Sequence, residues 1–324
     1  AWAQAQDLLL ELAELLAMPL AATKLNKGII PEDHPLALGT LSNFSKVPPA
    51  IETMQGADVL LSVGCTFGQF TTGSFGYEIV PHAAKIIQVD IDPTEIGKIY
   101  AVEVGILGDA YSVLYDLLQE IKRRQVDRRP VEQLPRIKEL LRMKKEWQES
   151  LLPHMTSNKV PIQRLRLLND LRQALPRDAI VAAFSGSTEM WFEYAFNALA
   201  HTCSLGGWGN IGSGYPEALG AKVALPDRVV VCLTGDGGMM MALQEIATAV
   251  DCDIPVLCVV CHNDVYGNMR YGQIMHFGGR FIGTDLPIPN LANIAPEFGA
   301  YGERVEQPNE IIPAVGRALK TGKP

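Results

Sequence analysis

The sequence predicts an α/β protein made of two three-layer domains with mostly parallel sheets. Short, continuously apolar segments of strand length alternate with longer segments whose apolar residues recur at helical spacing. This alternation is typical of parallel strands covered by helices on both faces. The chain has 324 residues, which suits two domains that each bury a core of their own.

In the first half, helices are predicted over residues 2–17 and 110–123, because apolar side chains recur there with the period of a helix. Strands are predicted over 58–63 and 85–91, since both segments are apolar and end at turn-forming residues. A stretch rich in glycine and proline, residues 26–39, is predicted to be a loop.

The middle of the chain differs in composition. Residues 122–159 are strongly charged and carry only isolated apolar side chains. We interpret this stretch as a surface helix with a solvated face, in preference to a basic patch for a partner. The predicted organisation is therefore a first domain over 1–125, a charged helical connector over 126–159 and a second domain over 160–324.

The second half again alternates helices and strands, with two glycine-rich segments between them. The predicted elements are a helix over 161–174, a strand over 178–184, a helix over 189–199, a glycine-rich entry over 206–220 into a helix ending near 224, a strand over 228–233, a glycine turn over 234–238, a helix over 241–250 and a strand over 255–261. The last two strands are joined through a helix, and such a crossover makes them parallel.

Charge and composition argue against several classes of function. The chain has 28 basic and 36 acidic residues and a formal net charge of −8, whereas a nucleic-acid binder needs a basic face. No apolar run is long enough to cross a membrane. We expect a cytoplasmic protein that binds neither nucleic acid nor membrane.

The six cysteines are scattered through apolar segments, as expected for core residues in a reducing compartment. Cys258 and Cys261 form a CxxC pair, but both lie inside a predicted strand. No second Cys or His pair completes a zinc site, so we interpret them as core residues.

Two oxygen-bearing side chains follow the last two predicted strands. Asp236 and Asn263 each come just after a strand end, and neighbouring parallel strands end about 5 Å apart at one edge of a sheet. Carboxylate and amide oxygens suit Mg²⁺ or Ca²⁺. Gly235, Gly237 and Gly238 would let a phosphate approach the backbone. The pattern predicts a metal-bridged diphosphate site.

This pattern resembles the thiamine-diphosphate motif of the decarboxylase and acetolactate synthase superfamily, in which Gly-Asp-Gly is followed by a metal-binding asparagine. Asp236 precedes Asn263 by 27 positions, and His262 replaces the first asparagine of the family's usual Asn-Asn pair. The resemblance implies three metal ligands, which are Asp236, Asn263 and the backbone carbonyl of Val265. It also implies thiamine diphosphate and Mg²⁺ as cofactors.

The resemblance extends over nearly the whole chain. Residues 185–191 and 212–221 are similar to segments that flank the cofactor, and 26–39 and 88–98 are similar to the family's central domain. Ile211 stands where the family has a large apolar residue that bends the cofactor. The residues implied to bind the cofactor are Ser187, Thr188, Ile211, Asp236, Gly237, Gly238, Asn263, Val265, Tyr266 and Gly267.

The family's enzymes have three domains, and the resemblance implies that this chain supplies the central and diphosphate-binding ones. The glutamate that activates the cofactor is expected on the absent N-terminal domain, so no catalytic residue is assigned. The chain starts without an initiator Met and ends on a Gly-Lys-Pro turn, and we expect a fragment. His262 and His276 have no orienting partner in the motif, and neither is assigned as a base.

The implied reaction is cleavage or formation of a C–C bond next to a carbonyl, as in acetolactate-synthase-like decarboxylation and carboligation of a 2-oxo acid. We expect the full-length chain to form a homodimer or homotetramer. Gly272 stands where acetolactate synthase proper has a tryptophan that helps to select the second substrate. The exact substrate therefore stays open.

Alternatives to this function stay open. One is the acyl-CoA branch of the family, such as an oxalyl-CoA decarboxylase-like enzyme. Others are a catalytically silent cofactor-binding subunit and a nonenzymatic nucleotide-binding protein. If the chain belongs to the acyl-CoA branch, four surface arginines could contact the nucleotide part of the substrate. They are Arg123, Arg124, Arg128 and Arg129.

FAD stays open as a further cofactor but is not favoured. Residues 39–45 (GTLSNFS) depart from the flavin-contact pattern of acetolactate synthase. Asp90 and Asp92 lie at the end of a predicted strand and could hold a ribose, but we interpret them as a structural turn.

Overall fold

The computed structural model describes residues 3–43, 45–124, 131–199 and 209–324. Some members of the segments and residue sets discussed above lie outside these ranges: Trp2, Phe44, Arg128, Arg129, Cys203, Gly206 and Gly207. The chain divides into two compact units, Ala1–Ser150 and Leu151–Pro324. Most of the stretch predicted as a connector therefore belongs to the first unit.

Eight strands are present in the described residues: β1 Leu20–Thr23, β2 Ala37–Leu41, β3 Val59–Val63, β4 Lys85–Asp90, β5 Val104–Leu107, β6 Ile180–Phe184, β7 Val230–Gly235 and β8 Leu257–Cys261. The five predicted strands are confirmed as β3, β4, β6, β7 and β8. The sequence reading missed β1, β2 and β5, which have only four or five residues each. The start of β2 lies within the segment predicted as a loop.

The α-helices of the described residues are α1 Gln6–Leu16, α2 Pro48–Gln55, α3 Gln69–Thr72, α4 Ala110–Arg123, α5 Pro135–Met155, α6 Arg164–Ala174, α7 Ser187–Ala195, α8 Gly214–Ala224, α9 Asp236–Met241, α10 Glu245–Asp251, α11 Gly267–Phe277, α12 Leu291–Ile294 and α13 Ile311–Thr321. The predicted helix over 110–123 is confirmed as α4. Helix α7 ends at Ala195 because Phe196 is extended, with φ −78° and ψ 125°.

The helix predicted over residues 241–250 is confirmed in part as α10, which begins four residues later, at Glu245. The structure has two helices there, α9 and α10, separated at Ala242, whose φ of −123° and ψ of 14° are not helical. Helix α9 begins at Asp236, inside the predicted glycine turn. The N-cap residue is Gly235, which has no side chain to cap the helix, and the Asp236 carboxylate accepts a hydrogen bond from the adjacent Gly237 N at 2.8 Å.

In the second unit, strands β6, β7 and β8 form one parallel sheet in that order. Helices α8 and α10 cover one face through Tyr215 and Ile246. Helices α6, α7 and α13 cover the other face through Leu171, Phe192 and Val315. This confirms the predicted three-layer α/β architecture with a parallel sheet.

The first unit contains two parallel sheets, β1-β2 and β3-β4-β5. Helices α1 and α4 pack Leu12 and Leu118 together, next to Leu61 and Val63 of β3. A separate cluster contains Ile86 of β4 and Tyr100. The strands of this unit are also parallel, as predicted.

Helix α5 carries most of the charged stretch. Its Ile137 is buried against Ala13 and Leu36, so the helix packs on the first unit through an apolar stripe. On its exposed side, Arg142 forms ion pairs with Glu139 and Glu146. This arrangement agrees with the interpretation of a solvated helix face.

The acidic and basic residues considered for nucleotide binding take part in local contacts. Arg123 and Arg124 both bond Glu120, and these hydrogen bonds lower its pKa to about 2. Asp90 accepts a hydrogen bond from Asp92 N at 3.0 Å, which is the geometry of a structural turn. Within the described ranges, no helix is long and apolar enough to cross a membrane.

Candidate functional site

Three polar segments meet at one edge of the sheet in the second unit. The register pairs Phe184 of β6 with Thr234 of β7, and Gly235 of β7 with Cys261 of β8. The three strands therefore end level with one another. Helix α7, helix α9 and the loop over residues 262–266 all begin at this edge, which brings the predicted site residues together.

Asp236 is the central group of this edge. Its side chain is 2% exposed. One carboxylate oxygen accepts from Gly237 N, and the other accepts from Asn263 N at 2.9 Å and Asp264 N at 2.7 Å. Within the described ranges, no lysine or arginine forms an ion pair with Asp236. A buried carboxylate held by backbone donors and without a basic side chain is ready to bind a cation.

The glycines beside Asp236 are required by protein contacts. A Cβ at Gly237 would lie 2.9 Å from Tyr266 Cε1 and 3.1 Å from Leu286 Cδ2. A Cβ at Gly238 would lie 2.5 Å from Thr234 Oγ1. The sequence reading explained these glycines by the approach of a phosphate alone, whereas the structure shows that the packing of neighbouring side chains also requires them.

Ser187, Asn263 and Gly267 lie side by side. A Cβ at Gly267 would be 3.1 Å from Ser187 Oγ and 3.6 Å from Asn263 Nδ2. Thr188 lies one residue further along α7, and its Oγ1 would be 3.8 Å from a Cβ at Gly235. Hydroxyl groups and an amide thus border the same edge as Asp236, and these groups can bond phosphate oxygens.

Ile211 lies near the end of α9. The neighbouring Gly212 has a φ of 93°, and a Cβ there would lie 2.8 Å from Met241 Cβ and 3.8 Å from Gly238 O. Ile211 itself is 42% exposed. It is thus an accessible apolar side chain, available to a ligand at this end of the unit.

The loop after β8 is held by a remote segment that the sequence reading did not include. Tyr266 N donates to Thr284 O at 2.9 Å, and Leu286 N donates to Asp264 O at 2.8 Å. Val265 lies between these bonds and pairs with Asp285 as an isolated antiparallel bridge. Leu286 and Thr284 carry no sequence signal for this role, because they are far from the motif along the chain.

His262 has an orienting partner, contrary to the expectation from the motif. Its Nε2 lies 2.8 Å from Asp264 Oδ1. The hydrogen bond from His262 holds the pKa of Asp264 below its usual range, so the carboxylate is ionised at neutral pH. The presence of Asp264 two residues after His262 was the signal that could have revealed this pair.

These donors fit a divalent cation and an attached diphosphate. Asp236 offers a buried carboxylate without a basic partner in the described residues. Asn263 offers an amide oxygen, which accepts a hydrogen bond from Val265 N at 3.3 Å. Mg²⁺ accepts oxygen ligands of this kind and keeps other positions for water and phosphate. Of the sequence-predicted set, the structure brings Ser187, Thr188, Asp236, Gly237, Gly238, Asn263, Val265, Tyr266 and Gly267 to one edge, with Ile211 beside α9.

The CxxC pair is structural. Cys258 packs into the core on one face of the sheet and Cys261 into the core on the other, so the two thiols cannot hold one metal ion. Burial raises the pKa of Cys261 to about 11, which leaves it a neutral thiol at pH 7.

A groove of 1320 Å³ runs along β8. Most of its length lies away from the polar edge around Asp236. Its lining is mainly apolar and reaches the polar edge at His262 and Asn263. Among the described residues, β8 has a strand neighbour on one side only. We interpret the groove as the uncovered edge of the sheet and assign it no ligand.

Two family models match the chain. Residues 1–117 match the thiamine pyrophosphate enzyme central domain, and residues 185–324 match the thiamine pyrophosphate enzyme C-terminal TPP binding domain. The second match covers every residue of the edge described above.

The curated relatives to which the chain is similar agree with these family matches. The chain is 33% identical over 329 residues to a probable acetolactate synthase large subunit of Methanococcus aeolicus, covering 99% of this chain and 54% of that protein. It is 30% identical to the acetolactate synthase isozyme 3 large subunit of Escherichia coli, covering 96% of this chain and 53% of that protein. It is also 30% identical to a sulfoacetaldehyde acetyltransferase of Castellaniella defragrans, covering 95% and 54%.

The chain thus spans about half the length of the curated relatives that it matches. Its two matched segments are a central domain and a TPP-binding domain of one enzyme family, and the second contains the Asp236 edge. The chain belongs to the thiamine pyrophosphate enzymes and is acetolactate synthase-like.

Proposed function

We propose that this chain binds the diphosphate of thiamine diphosphate through Mg²⁺ and takes part in making or breaking a C–C bond next to a carbonyl. The observation that carries the proposal is the buried Asp236 carboxylate, which the backbone of the neighbouring strand's loop holds in place at 2.7 and 2.9 Å. In this proposal the metal ligands are Asp236, Asn263 and the carbonyl of Val265.

The chain's own residues bind and orient the cofactor. Ser187 and Thr188 would donate hydroxyl hydrogen bonds to phosphate oxygens, and the first amides of α11, at Gly267, would add donors for the same charge. Asp236 keeps the cation fixed, because three backbone donors prevent its carboxylate from rotating. When bound, thiamine diphosphate supplies a nucleophilic carbon for attack on a carbonyl.

The proposed substrate is a 2-oxo acid, in an acetolactate-synthase-like decarboxylation or carboligation. The name acetolactate synthase, carried by the relatives from Methanococcus aeolicus and Escherichia coli, supports carbon–carbon chemistry of this kind. We propose a homodimer or homotetramer in the cytoplasm as the working form. The reaction is tested by supplying pyruvate to the protein expressed from its full coding sequence, with acetolactate or acetaldehyde as expected products. Pyruvate returned unchanged would contradict a pyruvate reaction.

Binding to this chain tests the cofactor half of the proposal. We expect calorimetry to show that thiamine diphosphate and inorganic pyrophosphate bind only when Mg²⁺ is present. Thiamine without phosphates is expected to bind at least about 100-fold more weakly, because charged hydrogen bonds and the cation supply most of the affinity. The assignment would be overturned if thiamine bound as tightly as thiamine diphosphate, or if the affinity for thiamine diphosphate did not depend on Mg²⁺.

We predict that Ile211→Ala weakens retention of thiamine diphosphate by roughly tenfold, through loss of apolar contact with the bound cofactor. Binding of pyrophosphate with Mg²⁺ should stay unchanged, since Ile211 is not part of the polar edge. Ile282→Ala, at a side chain that is 83% exposed, is the matched control and should leave both affinities unchanged. Equal affinity of Ile211→Ala and wild type for thiamine diphosphate would place Ile211 away from the cofactor.

A further inference from the structure

Residues 278–288, here called the strap, follow α11 and return to the loop after β8. The strap leaves α11 at Gly278, which has a φ of 61°, and Gly283 within it has a φ of 63°. Both values lie in the left-handed region that favours glycine. Further along, the strap pairs with the loop over residues 262–266, which carries two of the proposed metal ligands.

Backbone hydrogen bonds join the strap to this loop on both sides of Val265. Tyr266 N donates to Thr284 O at 2.9 Å, and Leu286 N donates to Asp264 O at 2.8 Å. One bond uses the peptide group that follows Val265, and the other uses the peptide group that precedes it. The strap therefore fixes both peptide groups that flank this residue.

The peptide group between Val265 and Tyr266 supplies the carbonyl that is proposed to bind the cation. The N–H and C=O of a trans peptide lie in one plane and point in opposite directions. Since the Tyr266 N–H points to Thr284 of the strap, the Val265 carbonyl points away from the strap. Val265 N also points away from it and donates to Asn263 Oδ1 at 3.3 Å. Pairing with the strap thus orients the Val265 carbonyl and the Asn263 amide together.

Gln273 of α11 holds the strap at another point. Its side-chain amide donates from Nε2 to Ile282 O and accepts at Oε1 from Ile282 N, both at 3.0 Å. The Ile282 side chain is exposed and adds little burial, so the position of this residue depends on the two hydrogen bonds. A further contact, between Arg270 Nη1 and Asp285 Oδ1 at 2.8 Å, is an exposed ion pair and is expected to contribute less.

We propose that Gln273 is a positioning residue for cation binding. By holding Ile282 it keeps the strap paired with the loop, and the paired strap orients the Val265 carbonyl. The inference rests on the proposed function for the ligand role of Val265, and it adds a residue that lies outside the motif. The cation and its diphosphate bind the paired form, so their apparent affinity falls with the fraction of chains in that form.

The test compares the wild-type chain with Gln273→Met, whose side chain has a similar length but no amide. In the metal-free variant, hydrogen exchange followed by mass spectrometry should be faster in the strap and in the loop over residues 262–266, and unchanged in β6 and β7. Calorimetry with inorganic pyrophosphate and Mg²⁺ should show an affinity lowered by roughly tenfold, as expected for the loss of two hydrogen bonds.

Saturating Mg²⁺ and pyrophosphate should restore slow exchange of the strap in Gln273→Met, because a ligand that binds only the paired form raises its population. A merely structural role would instead change exchange throughout the second unit. Gln307→Met is the matched control and should leave both measurements unchanged. Gln307 is exposed, and within the described part of the chain its side chain makes no cap hydrogen bond.

Three results would each overturn the inference alone. The strap could exchange equally in Gln273→Met and wild type, it could exchange faster without any loss of pyrophosphate affinity, or its exchange could stay fast at saturating ligand. Faster exchange of β6 and β7 would also overturn it, because Gln273 would then stabilise the whole unit. If the wild-type chain itself binds no pyrophosphate with Mg²⁺, the proposed function fails and this inference fails with it.

Discussion

Replacing Asp236 by asparagine is expected to lower the affinity for thiamine diphosphate in the presence of Mg²⁺ by more than about 100-fold. The asparagine keeps the size of the side chain and one acceptor oxygen, but it removes the negative charge that binds the cation. Calorimetry with and without Mg²⁺ measures the effect. The small affinity that remains should no longer depend on Mg²⁺.

The alanine variant tests a second role of the same carboxylate. Asp236→Ala leaves three backbone N–H groups, those of Gly237, Asn263 and Asp264, without their acceptor. Each unpaired buried donor costs about 1–3 kcal/mol, so this variant should also be less stable than Asp236→Asn. Asp251→Ala, at an exposed position of α10, is the control for loss of a carboxylate. Unchanged Mg²⁺-dependent affinity in Asp236→Asn would refute the metal assignment.

Replacing Phe192 by alanine is expected to destabilise the second unit by about 3–5 kcal/mol. Phe192 is fully buried on α7, packs against the sheet and stacks on Phe196 with ring centroids 4.7 Å apart. Its removal leaves a cavity beneath the helix that positions Ser187. We therefore also expect weaker diphosphate binding from a less rigid α7.

Hydrogen exchange followed by mass spectrometry measures this loss separately for each unit. Amides of β6 and β7 in Phe192→Ala should exchange faster, while those of β4 in the first unit serve as an internal reference. Phe277→Ala is the matched control, because this side chain is 57% exposed on α11. If the β6 amides exchanged at similar rates in Phe192→Ala and in the control, the loss of Phe192 would not have destabilised the second unit, and the prediction would be wrong.

Local patterns were enough to predict the strands that carry the site. Each of β6, β7 and β8 is an apolar run that ends at a polar or glycine-containing segment. Such continuous runs are typical of strands in a parallel sheet covered by helices, and they hold here for the buried β6 and β7 and for the half-buried edge strand β8. The positions of Asp236 and Asn263 at two strand ends then follow from the crossover rule. The opposite placement of Cys258 and Cys261 agrees with the alternation of side chains along a strand.

Weaker elements were not predicted from the sequence. The strands β1, β2 and β5 are short and contain alanine, glycine or threonine, so their pattern does not differ enough from that of a loop. Helix α9 was not predicted, because its glycines normally indicate a turn. Here the chain passes directly from Gly235 into a helix, and Gly237 and Gly238 lie where a side chain would meet Tyr266 and Thr234.

The sequence by itself determined the two α/β halves, the strand ends and which oxygen-bearing side chains follow those ends, because these depend on periodicity and on neighbouring residues. Only the tertiary structure decided that Asp264 pairs with His262, that Leu286 packs at Gly237 and that Tyr266 is held by Thr284. Such contacts join segments through the path of the chain in space. No local propensity specifies these contacts. The loop residues could take several conformations, and hydrogen bonds with the remote segment select one of them.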